Sequence, residues 1–116
     1  MSPEDDRIER AARLLIGAHR SGGQVAAAAA LAPRSAEDAY RIQGRVLAEI
    51  HAGVRASAWK VGSAHPDVEP AAAPIARSLM YQSPANLPAR GFRIIGVEAE
   101  IAFRFARDLP PRRRTR

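Results

Sequence analysis

Glu98 and Glu100 are the residues of this chain whose type and spacing most directly suggest chemistry. They stand two apart in Gly96-Val97-Glu98-Ala99-Glu100-Ile101-Ala102-Phe103-Arg104-Phe105. Val97, Ala99, Ile101, Phe103 and Phe105 fall on one parity, and Glu98, Glu100, Ala102 and Arg104 on the other. That alternation predicts a β-strand over 96–105 with its apolar face lining a core. On such a strand the two carboxylates share a face with α-carbons about 6.6 Å apart. They repel unless water, arginine or a cation stands between them. A hard divalent cation such as Mg²⁺ takes oxygen ligands of this kind. The plain alternative is a solvated polar face, which is what a charged pair on a strand usually marks.

Lys60 is the second candidate and the only lysine among 18 basic residues. It follows Trp59 in 56–61, which reads as a strand closed by Gly62. Pointing inward, Lys60 is poised for proton transfer or carboxylate binding. Pointing outward, it is a lysine snorkelling from an edge strand. His65 before Pro66 reads as a turn residue, Gln43 as a helix-packing amide, and His19 as a partner of helix-end carbonyls. With no cysteine, thiolate zinc sites, disulfides and cysteine nucleophiles are excluded. No Gly-rich phosphate loop or His-x-x-x-His pair occurs.

The elements that position these residues begin with helices. Ser2 is a predicted N-cap, Pro3 suits the first helical position, and Ile8, Ala11, Ala12, Leu15 and Ala18 recur at helical spacing up to Ser21-Gly22-Gly23. Ser35 opens a second helix, with Asp38 standing where a capping box carries glutamate. Ala39, Ile42, Val46, Leu47 and Ile50 form its apolar stripe, and Gly53 is expected to stop it. The alanine run 26–30 carries no strong periodicity, and the stretch up to Pro74 reads as a proline- and alanine-rich connection. A short strand is expected over 78–82 and a loop over 83–91. Helices first and strands later indicate an α+β fold: a helical region over 1–55, a β-rich region over 56–110, and an arginine-rich tail over 111–116.

The formal charge of +6 resides mostly in that tail, where Arg112, Arg113, Arg114 and Arg116 supply four of the 18 basic residues against 12 acidic ones. The body carries no basic stripe interleaved with aromatics, so nucleic acid is not the expected partner. The competing class is a small basic interaction protein that uses the tail to contact nucleic acid or acidic partners. No apolar stretch reaches the ~20 residues of a membrane span. The acidic start Glu4-Asp5-Asp6 is unlike a signal peptide, and a soluble cytoplasmic protein is expected.

Three segments, taken in order, resemble one family. Ser35-Ala36-Glu37-Asp38-Ala39-Tyr40-Arg41-Ile42-Gln43 is similar to its "AxxAYxIQ" helix. Trp59-Lys60-Val61-Gly62 with His65-Pro66 is similar to its "KVGxxHP" segment. Gly96-Val97-Glu98-Ala99-Glu100-Ile101-Ala102-Phe103 with Arg107-Asp108-Leu109-Pro110 is similar to its "GIEAEIAF…RDLP" segment. The family is the 2-keto-4-pentenoate hydratase branch of the fumarylacetoacetate hydrolase superfamily, and the resemblance spans 35–110. It implies a metal-dependent hydro-lyase of aromatic catabolism that acts on small 2-keto or 2-hydroxydienoate acids, on a β-barrel or roll fold. It implies Mg²⁺ or Mn²⁺ on Glu98 and Glu100, and Lys60 in the active site.

Two departures qualify what the resemblance implies. Pro74-Ile75-Ala76-Arg77 stands at the family's "PDFG"-like segment, with Ile75 in place of an acid. Decarboxylase or C–C hydrolase chemistry therefore stays open beside hydration. Family chains also run considerably longer, with most of the barrel and a third carboxylate ligand downstream of the Glu-x-Glu strand. The expectation is an incomplete copy, inactive by itself. The exact substrate, the choice of metal and assembly into a homo-oligomer are left open.

Overall fold

The computed structural model describes residues 2–26, 28–52, 56–92 and 94–110. The chain is α+β: helices α1 (Pro3–Ser21) and α2 (Ala36–Ile50) precede a two-stranded antiparallel sheet of β1 (Ala56–Gly62) and β2 (Ala71–Ala76). It divides into two compact units, Met1–Ser83 and Pro84–Arg116. All four elements belong to the first. Among the described residues no helix is long and apolar enough to cross a membrane.

Local chemistry sets the limits of α1. Ser2 Oγ accepts from the Asp5 amide at 3.0 Å, and the Asp5 carboxylate accepts from Ser2 N at 3.3 Å, a complete capping box. Glu4, Asp5 and Asp6 complement the positive end of the helix, and His19 and Arg20 its negative end. The helix stops at Gly22, whose φ of 64° is left-handed and suits glycine.

α2 starts differently from the sequence expectation. Ser35 Oγ does accept from the Asp38 amide at 3.1 Å. The Asp38 carboxylate, however, accepts from the Arg34 amide at 2.9 Å and from the Arg7 guanidinium of α1, rather than closing a box on Ser35. Asp5 at N3 of α1 does close its box; at N3 of α2 the Asp38 carboxylate is instead taken up by the buried Arg7 and the Arg34 amide. At the far end Ala52 takes the left-handed conformation (φ 51°) after the C-cap His51. Gly53, the expected stop, lies outside the described residues.

Ion pairs set the helices in register. Asp5 pairs with Arg41, Glu9 approaches Arg45 at 3.8 Å, and Arg20 meets Glu49 at 2.6 Å. Partner numbers rise together, so α1 and α2 run the same way and the connection through 22–35 must double back. It does so past a short 3-10 turn at Ala29–Leu31, and the carbonyl of Ala32 receives Arg7 Nη1 at 2.7 Å. Between the helices Ile8, Ala11, Ala12 and Ile42 are buried, with Ile16, Leu31 and Val46 packed around them. Small side chains allow close approach and bury little area, so this core is thin.

The sheet differs from the sequence reading in three places. β1 forms where expected. β2 occupies a stretch expected to be a connection. It tolerates Pro74, opposite Trp59, because a two-stranded sheet has only edge strands. The segment 78–82 is not a strand but enters through a 3-10 turn at Arg77–Leu79. The strand expected over 96–105 does not form, and those residues have no regular secondary structure. Nor does its apolar parity line a core: Val97 is 94 % exposed and Phe103 84 %. Alternation specifies a two-faced strand but not the neighbour whose backbone must satisfy it.

Two outcomes follow. Asp5 is held at about 2, below its ordinary 3.8, first by the Arg41 hydrogen bond and then by Ser2. A depressed carboxylate stabilises the fold above its unfolded value. Helicity in fixed urea should therefore fall as pH drops from 3.8 toward about 2, and Asp5→Asn should shrink that loss. Ala52→Gly should raise stability by about 0.5–1 kcal/mol in urea melts, because glycine carries no penalty at positive φ.

Candidate functional site

Lys60 lies on β1 opposite Ala73 and is exposed. By strand parity it shares a face with Ala58 rather than with Trp59. The half-buried positions of β1 are Ala56 and Ala58, while Trp59 is 59 % exposed. A register shift between Ala56 and Ala58 breaks the simple alternation at the start of this strand.

Glu98 and Glu100 lie in the second unit, both exposed, in the segment without regular secondary structure. Their oxygens are the right donors for Mg²⁺ or Mn²⁺, a hard-cation set. Among the described residues no group of three or more His, Asp or Glu side chains is placed to hold a metal ion. The pair therefore matches such a cation in donor chemistry alone. The arginine-rich tail invoked for the basic-partner reading lies outside the described residues.

A polar arrangement that sequence reasoning underrated sits on α2. The Tyr40 hydroxyl accepts from the Ala72 amide at 3.1 Å, and Gln43 Nε2 donates to the Ala72 carbonyl at 3.3 Å. Tyr40 and Gln43 are three apart, one helical turn, so both reach one residue of β2. Together they satisfy both backbone polar groups of Ala72. Gln43 is thus a packing amide, as expected, but it packs on the strand. The Tyr-x-x-Gln spacing carried the signal; the missing part was β2 itself.

The first unit also holds an apolar groove of about 670 Å³ between α1, the returning connection and α2. Leu15, Val25, Leu31, Val46 and Leu79 contribute to its wall, with His19 and His51 as polar positions. His19 lines this groove, and it is its backbone carbonyl that receives the Gly22 amide at 3.4 Å. His51 Nδ1 lies 3.4 Å from Ser78 Oγ. His65 occupies a turn, as expected. Its Nδ1 receives the Asp67 amide at 3.3 Å, and Ser63 Oγ faces the carbonyls of His65 and Val68 at 2.7 and 2.9 Å.

Comparison with protein-family models, with curated proteins and with solved structures finds no match.

Removing the Tyr40 hydroxyl leaves the Ala72 amide without its acceptor. Tyr40→Phe should speed hydrogen exchange at Ala72 by roughly tenfold and cost about 1 kcal/mol. Protection at the Ala56 end of the sheet should change little.

Proposed function

We propose that this chain carries the N-terminal segments of a 2-keto-4-pentenoate hydratase-like enzyme of the fumarylacetoacetate hydrolase superfamily, a divalent-metal-dependent hydro-lyase. The observation that carries the reading is the order and content of three segments: the Tyr40/Gln43 helix, Trp59-Lys60-Val61-Gly62 with His65-Pro66, and the Glu98/Glu100 stretch ending in Arg107-Asp108-Leu109-Pro110. The α+β order and the strand around Lys60 are compatible with it. So is the use of Tyr40 and Gln43, residues of the first segment, to hold β2 beside the strand that bears Lys60.

In this reading Glu98 and Glu100 hold Mg²⁺ or Mn²⁺, and the substrate is a small 2-keto or 2-hydroxydienoate acid. The cation, when bound, supplies a Lewis acid for the 2-oxo and carboxylate oxygens. Lys60, as an ammonium group, holds the substrate carboxylate or donates a proton during tautomerisation. Ile75 is half-buried on β2 opposite Ala58 and offers no carboxylate where the family often has an acid. The second reading is accordingly a decarboxylase or C–C hydrolase relative.

Two carboxylates alone make a weak Mg²⁺ site, and the 116-residue chain should be inactive or nearly so. Calorimetry should find affinity of about millimolar for Mg²⁺. Pyruvate, a simple 2-oxo acid that can chelate the same cation, should strengthen that binding several-fold by linkage. Glu98→Gln together with Glu100→Gln should remove binding; unchanged affinity in that variant rules out the metal assignment. Rapid hydration of 2-hydroxypenta-2,4-dienoate by the chain alone would overturn the inactivity.

A further inference from the structure

The segment 97–105 combines high exposure with strict alternation. Val97 and Phe103 are joined in exposure by Ile101 at 87 % and Phe105 at 69 %, while the other parity carries Glu98, Glu100 and Arg104. A row of large apolar side chains on one parity is costly to leave in water, at roughly 1.5–3 kcal/mol for each side chain that a partner could bury. Such a row is what a sheet partner covers.

The sequence of this segment is complementary to itself. Laid antiparallel on a second copy with Ile101 opposite Ile101, Val97 faces Phe105 and Ala99 faces Phe103, so the apolar row is continuous across both strands. On the other face Glu98 meets Arg104, and by symmetry Arg104 meets Glu98. Glu100 then faces Ala102 rather than another carboxylate. Moving the strands to bring Glu100 opposite Glu100 sets like charges together, and a one-residue slip mixes the two faces. Moving them the other way, to set Glu100 opposite Arg104, shortens the overlap and takes Val97 off Phe105. One register therefore satisfies apolar face, charge and length at once.

We infer that 97–105 is the self-association surface of this protein, forming an isologous antiparallel strand pair between two copies, centred on Ile101. Two-fold symmetry makes each contact occur twice and closes the pair. The backbone of each strand supplies the ladder that the segment does not find within its own chain as regular structure. The inference rests on the alternation and charge order of this segment and is independent of the metal reading, so its test is run with EDTA present.

The chain's lack of cysteine makes the register directly readable. In the full-length protein, Ile101→Cys sets two thiols directly opposite, about 5 Å apart at Cβ. Val97→Cys sets them eight residues along the pair, about 27 Å apart. Mild oxidation should give a disulfide-linked dimer with Ile101→Cys and none with Val97→Cys alone. A mixture of Val97→Cys and Phe105→Cys proteins should cross-link as a heteropair. Sedimentation of the unmodified chain should show a monomer–dimer equilibrium. Arg104→Glu should weaken it about tenfold by replacing two opposite-charge pairs with like pairs. Glu98→Arg combined with Arg104→Glu should restore it, which a merely unfolded variant cannot do. A monomer at all concentrations, equal cross-linking at 97 and 101, failure of the double variant to restore dimerisation, or open-ended aggregates in place of a dimer would each overturn the inference.

Discussion

A buried ion pair between Arg7 and Asp38 holds the first unit together. Both side chains are almost wholly enclosed, and each is also tied to backbone: Arg7 to the Ala32 carbonyl, Asp38 to the Arg34 amide. The Arg34 amide, followed by the Arg7 guanidinium, keeps the Asp38 carboxyl below the usual carboxylate range. One cluster thus joins α1, the end of the returning connection and the first turn of α2. A charge buried without its partner is far more costly than the pair is beneficial, so the arrangement works chiefly as a selector of geometry. Helices with a core of alanines and a few isoleucines could slide or rotate at small cost. The enclosed pair, with the Asp5–Arg41 pair outside it, leaves one register.

The helices were legible because their signals are local. Ser2, Pro3 and Gly22 each act within a turn of their own position, and apolar spacing identified Ile8, Ala11, Ala12 and Ile42. The role of Asp38 was not legible, since its decisive partner lies 31 residues earlier in the chain. β2 was hidden by Pro74, a residue that argues against a strand until the strand is known to lie at an edge. In 96–105 the reverse held: the strand pattern is plain in the sequence, yet a pattern is a property of one segment and a sheet is a property of two.

The candidate chemistry has the same division. Lys60 lies on the strand expected of it, on the parity of Ala58, and is exposed. Glu98 and Glu100 were read as neighbours on a rigid strand. The structure keeps them exposed without supplying that strand.

The clasp of Tyr40 and Gln43 on Ala72 caps one edge of the small sheet. On the β2 side, a helix already occupies the position of the next strand, and the backbone groups that would recruit one at Ala72 are spent. The outer edge of β2 at Ala72 is thus closed by side chains of a helix rather than by the backbone of a further strand.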